Sequence, residues 1–246
     1  MSDQKPVMTL NEVENYNKDG YFSFNRPLFP EADFARLKAI FEENLEKYGP
    51  DDLDVIHFRD QRLMEFLLDD NVLDLVEQLI GPNIGLWSSH FICKPARTGK
   101  RTPWHEDSSY WKGRISTMEN ILTIWLAIDP TDFENGAMGV IPGTHHDGFS
   151  NYHATEGGIF PTEIDAETFD ASQAYYFNLK PNECSLHDGR IIHGAGPNTS
   201  DRRRCGYTMR YFPTTSHVIP EMNRGHKIWL ARGKDLGDNP FESVGS

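Results

Sequence analysis

In the stretch "TPWHEDSSYW" (102–111), His105 and Asp107 stand two residues apart between aromatic residues. Side chains at i and i+2 leave the same face of a strand, so at a strand end both can reach one ion. A third ligand has to come from elsewhere. "SLHDGRIIHGAGPNTSDRRRCGYTMRY" (185–211) offers His193, 86 residues after Asp107, at the end of an apolar strand pattern. Two imidazoles and one carboxylate on one face of a metal are the ligand set of non-haem Fe(II) oxygenases, and they leave positions open for a co-substrate and O2. Arg204 follows His193 by 11 residues, across the turn-rich "GAGPNTSD" (194–201). Such a connection predicts that the flanking strands pair as a hairpin. A guanidinium there suits the far carboxylate of 2-oxoglutarate, held as a bidentate pair.

Other residues compete for these roles. His145-His146-Asp147 is a second His-x-Asp, but it follows Pro142-Gly143-Thr144, a turn signal, and is expected in a loop near the pocket mouth. His187 is the alternative third ligand; the step to Arg204 favours His193. In the run Arg202-Arg203-Arg204, alternation puts 202 and 204 on one face, with Arg202 nearest the turn and in solvent. Arg210 shares the parity of Arg204 and points either at substrate or into a structural ion pair. Glu106 faces away from the metal by the same alternation, toward the surface or a cation. Tyr110 and Trp111 lie close enough to the ligands to touch substrate. His57, with Arg59 and Arg62 in "DVIHFRDQR" (54–62), is a further candidate for a polar or anionic substrate group.

Two kinds of element must position these groups. The first 80 residues read as helical: "TLNEVENYNKDGYF" opens on Thr9 as N-cap and ends at Gly20. "PEADFARLKAIFEENLEKYGP" carries an apolar stripe at 34, 37, 41 and 45 and stops at Gly49-Pro50, and 62–82 repeats the pattern. After Gly81-Pro82, short runs rich in β-branched and aromatic residues ("NIGLWSSHFICK", "NILTIWLAID", "MGVIP", "QAYYFNL", "ECSLHD", "RIIHG", "RCGYTMRYFP") alternate with turn residues. Many short strands suggest a sandwich or barrel. The expected organisation is one domain over 1–246: a helical layer at 1–80, a barrel at 83–215 with a long excursion at about 148–172, and a tail at 216–246.

A chain of 246 residues buries roughly 70–75% of its unfolded surface. A net charge of −13 argues against a nucleic-acid groove. No apolar run approaches membrane-spanning length, and "MSDQKPVMTL" lacks a signal-peptide pattern. Three cysteines without C-x-x-C spacing read as reduced, mostly buried thiols. A cytoplasmic protein with a small-molecule substrate, and no nucleic acid or membrane partner, is expected; nothing in the sequence bears on oligomeric state.

The chain resembles the phytanoyl-CoA dioxygenase (PhyH) family of Fe(II)/2-oxoglutarate oxygenases over nearly its whole length. The carriers are "WHED" (104–107), "TIWLAIDPTDFENGAMGVIPGTHHDG" (123–148), "LHDGRIIHGAGPNTSDRRR" (186–204) and "WLARGKD" (229–235). The resemblance implies a double-stranded β-helix (jelly-roll, cupin-type) barrel with N-terminal helices, mainly β. It implies iron on His105, Asp107 and His193, and 2-oxoglutarate on Arg204 helped by Thr123. It places Trp111 in the pocket wall, and O2 as the second co-substrate. Many members carry a polar co-substrate partner beside the His-x-Asp strand. Here Pro103 and Trp104 stand there, with Ser88 or Ser89 as substitutes. A carboxylate at 107 fills the position a halide would need, which argues for a hydroxylase over a halogenase. The rivals are a zinc or manganese cupin acting as hydrolase or isomerase through a metal-bound water, and a non-catalytic metal-binding member of the fold.

Overall fold

The computed structural model describes residues 7–243. The first six residues of the segment read above for a signal peptide lie outside them. Helix α1 (Leu10–Asp19) starts at a capping box in which Thr9 accepts from Glu12 N while the Glu12 side chain accepts from Thr9 N, and it stops at the left-handed Gly20. Helix α2 (Glu31–Tyr48) buries Leu37, Ile40 and Phe41. The run at 62–82 is not one helix. It breaks into α3 (Met64–Leu67) and α4 (Asp70–Ile80) because Asp69 caps the second with its own carboxylate, on Asn71 N. A last short helix, α5 (Asp107–Trp111), lies inside the β region.

Two antiparallel sheets face each other. The larger has the order β1 (Tyr21–Phe24), β9 (Cys184–Asp188), β4 (Leu122–Ala127), β11 (Arg204–Pro213), β2 (Ile84–Lys94), β12 (Trp229–Arg232). The smaller has β3 (Thr102–His105), β10 (His193–Ala195), β5 (Met138–Val140), β8 (Tyr175–Tyr176). A separate hairpin, β6 (Tyr152–Ala154) with β7 (Thr162–Ile164), is built from the long excursion. This is the double-stranded β-helix expected, wrapped by helices on one side.

Alternation on the large sheet divides its side chains between two environments. Leu122, Ile124 and Leu126 of β4, and Cys205, Tyr207, Met209 and Tyr211 of β11, join the helices in one apolar core. Thr123, Trp125, Arg204, Thr208 and Arg210 take the other face, toward the small sheet. Both faces of β4 are thus covered, and its sequence "LTIWLA" is accordingly almost wholly apolar. Gly206 has no side chain because the Trp125 ring occupies the space a Cβ would need.

Two expectations fail here. The segment 1–80 is not purely helical: "YFSF" forms β1, on the edge of the large sheet beside β9. The strands either side of "GAGPNTSD" do not form a hairpin. β10 pairs with β3 and β5, while β11 pairs with β2 and β4, so the turn carries the chain from one sheet to the other. Cys93, Cys184 and Cys205 are free thiols. Among the described residues no helix is long and apolar enough to cross a membrane.

Candidate metal centre and co-substrate pocket

His105 is the last residue of β3 and lies directly opposite His193, the first residue of β10. Asp107 is not on the strand. After Glu106 the backbone turns into α5, and the carboxylate leaves the first residue of that helix. A strand-to-helix turn, not i/i+2 strand geometry, brings Asp107 beside His105. Asp107 Oδ1 is 3.8 Å from His105 Nε2 and 3.9 Å from His193 Nε2. Ligand atoms of the three buried residues all lie within 4.8 Å of one another, the one such group among the described residues.

The imidazoles are held ready to ligate. His105 Nδ1 lies 2.8 Å from the carbonyl of Pro103, and His193 Nδ1 lies 3.0 Å from that of Ile191. A carbonyl only accepts, so Nδ1 carries the proton and the Nε2 lone pair faces Asp107. Burial, reinforced by His193, takes the His105 imidazole down to about 3, so it is neutral. Burial alone would raise the Asp107 carboxyl; Arg210, His193 and His105 outweigh it and keep the group ionised. Its other oxygen, Oδ2, accepts from Thr123 Oγ1 at 3.1 Å and from Arg210 Nε at 3.3 Å. Two imidazoles and a carboxylate whose other oxygen is held by Thr123 and Arg210 suit Fe(II).

The cavity around these groups runs to Arg204. This guanidinium is buried, lies 5.0 Å over Trp125, and donates through Nε and Nη2 to Gly136 O at 3.1 and 2.6 Å. Among the described residues its Nη1 has no partner. A buried guanidinium N–H left unpaired is costly, and a carboxylate is its natural complement. Burial lowers the group to about 10, which still leaves it charged at neutral pH. Lys94 lies nearby, its Nζ bound to Lys100 O and Gly196 O, and burial brings it down to about 6.

Several candidates are placed differently. Thr123, expected beside Arg204, has its hydroxyl on Asp107 instead; Trp125 is the residue under the guanidinium. His57 does not line the cavity. It is buried on the helical side, against Trp229 and 2.7 Å from Ser89 Oγ, so Ser89 is engaged there too. Arg59 pairs with Asp52, and Arg62 with Asp60 and Glu43, so these arginines form no anion site. Ser88 is the serine on the cavity-facing row, opposite Arg210. Glu106 is buried, not on the surface, and among the described residues no cation pairs with it. It accepts from Ser150 Oγ at 2.5 Å and from Tyr152 OH, tying the excursion to the metal loop. Trp111 does not line the cavity but packs on Trp87 and backs Arg210 at 5.7 Å. Tyr110 is half-exposed, with its ring 5.9 Å from His105. His145 rests against Gly20 and bonds Asn17 O, outside the metal cavity. Arg202 pairs with Asp132 in solvent, and Arg203 with Glu42 and Asp129.

Sequence reasoning missed His90 and Phe160. His90 is at the cavity-facing parity of β2, which an alternation count along that strand would have found. Phe160, whose ring is 4.9 Å from His105, sits in the excursion, where no periodicity marks it.

Comparisons with known proteins bear on the family and the fold. The profile of the family described as "Phytanoyl-CoA dioxygenase (PhyH)" matches residues 16–206. A "phytanoyl-CoA dioxygenase domain-containing protein 1 homolog" of Caenorhabditis elegans is 27% identical, over 89% of this chain and 79% of its own length. A "probable alpha-ketoglutarate-dependent hypophosphite dioxygenase" of Stutzerimonas stutzeri is 31% identical over 55% of this chain and 47% of its own. Among solved structures, the non-heme alpha-ketoglutarate-dependent carbocyclase SnoK from nogalamycin biosynthesis superposes with a TM-score of 0.76 at 21% identity, covering 96% of this chain and 95% of that one. This chain belongs to the phytanoyl-CoA dioxygenase (PhyH) family of iron- and 2-oxoglutarate-dependent dioxygenases.

Proposed function

We propose that this dioxygenase hydroxylates a C–H bond of a small polar metabolite or natural-product intermediate, within a single oxygenase domain. His105, Asp107 and His193 would hold the ferrous ion, and Arg204 the far carboxylate of 2-oxoglutarate. The observation that carries the reading is one cavity with three convergent ligand atoms near one end and an unpartnered guanidinium N–H at the other. The oxidising power is that of O2 at the ferrous ion, drawn out as 2-oxoglutarate loses CO2 and becomes succinate.

The residues bind, orient and exclude water. Thr123 and Arg210 fix Oδ2 of Asp107 and so aim Oδ1. Phe160 and Tyr110 cover the His105 edge of the cavity, which keeps bulk solvent from the reacting carbon. The carboxylate at 107 would take the coordination position a halide needs, which favours hydroxylation.

The test is succinate release from 2-oxoglutarate by the purified protein with Fe(II) under air, across a panel of small polar metabolites. Iron- and O2-dependent succinate, raised by one class of metabolite, is the expected result. Metal-dependent hydrolysis without O2 would instead support a zinc or manganese hydrolase, and silence in both assays would support a non-catalytic member of the fold.

A further inference from the structure

Arg204 and Arg210 lie six residues apart on the same face of β11, their Cα atoms about 20 Å apart along the strand. Arg204 is at the co-substrate end. Arg210 is beside the His105, Asp107 and His193 cluster, and only its Nε is engaged, on Asp107 Oδ2. Among the described residues nothing accepts a hydrogen bond from its Nη1 or Nη2. The side chain is 11% exposed, in the cavity.

Arg210 also belongs to a row that crosses the sheet. His187 on β9 is opposite Thr123 on β4, which is opposite Arg210 on β11. His187 lines the same cavity, is 1% exposed, and among the described residues has no hydrogen-bond partner on either ring nitrogen. Its Nε2 is 4.0 Å from the same Asp107 oxygen that Arg210 reaches. The two groups are therefore near enough for one small oxyanion to touch both.

Charge points the same way. Asp107, Arg204 and Arg210 are the only charged side chains lining the cavity among the described residues. A ferrous ion and two guanidiniums bring four positive charges; Asp107 and a bound keto-diacid bring three negative ones. One positive charge is left over in a buried site, where an uncompensated charge is expensive. Arginine does not shed its proton to relieve this.

We infer that the substrate is a small monoanion, a carboxylate or phosphorus oxyacid, whose charged group is held by Arg210 and His187 beside the metal. The inference rests on the iron and 2-oxoglutarate reading above, and it adds the charge of the substrate and the residues that select it. Neutral or cationic compounds of the same shape would leave the surplus positive charge uncompensated and offer the Arg210 Nη groups no anionic acceptor.

The test uses the full chain loaded with Co(II) in place of Fe(II) and saturated with 2-oxoglutarate. Calorimetric binding is measured for matched sets of equal shape: short carboxylates, hypophosphite and phosphite against the corresponding amides and amines. Anions should bind about tenfold or more tighter than uncharged partners, the scale of a charge-assisted hydrogen bond. Arg210→Gln should erase the preference, Arg210→Lys should keep part of it, and His187→Phe should weaken anion binding while leaving Co(II) and 2-oxoglutarate binding intact. The Lys variant serves where Gln unsettles Asp107. Equal binding of anions, amides and amines overturns the inference, as does absence of anion binding, or an anion preference that survives in Arg210→Gln. Failure of the wild type to bind Co(II) or 2-oxoglutarate is a different result: it defeats the underlying reading instead.

Discussion

The Thr123 hydroxyl donates to Asp107 Oδ2 at 3.1 Å, and by fixing that oxygen it presents Oδ1 to His105 and His193. Loss of such an outer-shell bond typically lowers metal affinity about 10–100-fold. Thr123→Val is expected toward the low end of that range, because Arg210 still holds the oxygen. Thr123→Ser should recover most of the loss. Titration with Co(II), read by its absorption, gives the answer; an unchanged affinity in the valine variant would show that the hydroxyl has no part in aiming the carboxylate.

Metal loading should stabilise the fold. At a free metal concentration a hundredfold above Kd, binding adds about 2.7 kcal/mol, which for a domain of this size raises Tm by about 5–10 °C. Asp107→Ala and His193→Ala should abolish the rise, and a chelator should reverse it in the wild type. A metal-induced shift that persists in both variants would place the ion somewhere else.

At the co-substrate end, Arg204→Lys is expected to raise KM for 2-oxoglutarate about tenfold or more, since lysine loses the planar fork, while Co(II) affinity stays unchanged. Gly136 offers an independent check. Its carbonyl receives Arg204, its φ is +82°, and a Cβ there would lie 2.6 Å from Gly196 O. Gly136→Ala should therefore raise the same KM without touching the metal. Parallel losses of metal and co-substrate binding would contradict the separation of the two ends.

Stability should fall in mild acid, and His57 is one source. Burial, with His226 adding to it, brings its imidazole from 6.5 down to about 3. The unfolded chain takes up this proton below pH ~6.5 and the native chain only near ~3, so stability rises with pH across that window and is complete above it. By pH ~5 the loss from this group is about 2 kcal/mol. Denaturant midpoints measured at pH ~7 and ~5 should differ less in His57→Gln than in the wild type. An identical drop in both would clear His57 of the effect.

The parts of this protein legible from sequence are those set by local rules. Thr9 with Glu12 marks a helix start by capping chemistry, and alternation along "RCGYTMRYFP" sorts Arg204 and Arg210 from Tyr207 and Met209 without a structure. His105, Asp107 and His193 stand out because two imidazoles and a carboxylate have few other reasons to recur near an arginine at that spacing, and the fold brings their ligand atoms within 4.8 Å of one another. What stayed hidden depends on contacts far along the chain. "YFSF" is too short to declare itself a strand until β9 lies beside it. Asp107 looked like a strand residue because nothing local shows the turn into α5. His57, among arginines, resembled an anion site. Its burial under Trp229 comes from a residue at the other end of the chain.

The switch of sheets between His193 and Arg204 has a mechanical consequence. Iron would be carried by the small sheet and its adjoining turn, while Arg204, the guanidinium that would grip the keto-diacid, projects from the large one. A co-substrate chelated on one wall and clasped by the other would rivet the sandwich shut. Prying the sheets apart would then break both grips in a single event, so the empty enzyme should breathe across this seam more freely than the loaded one.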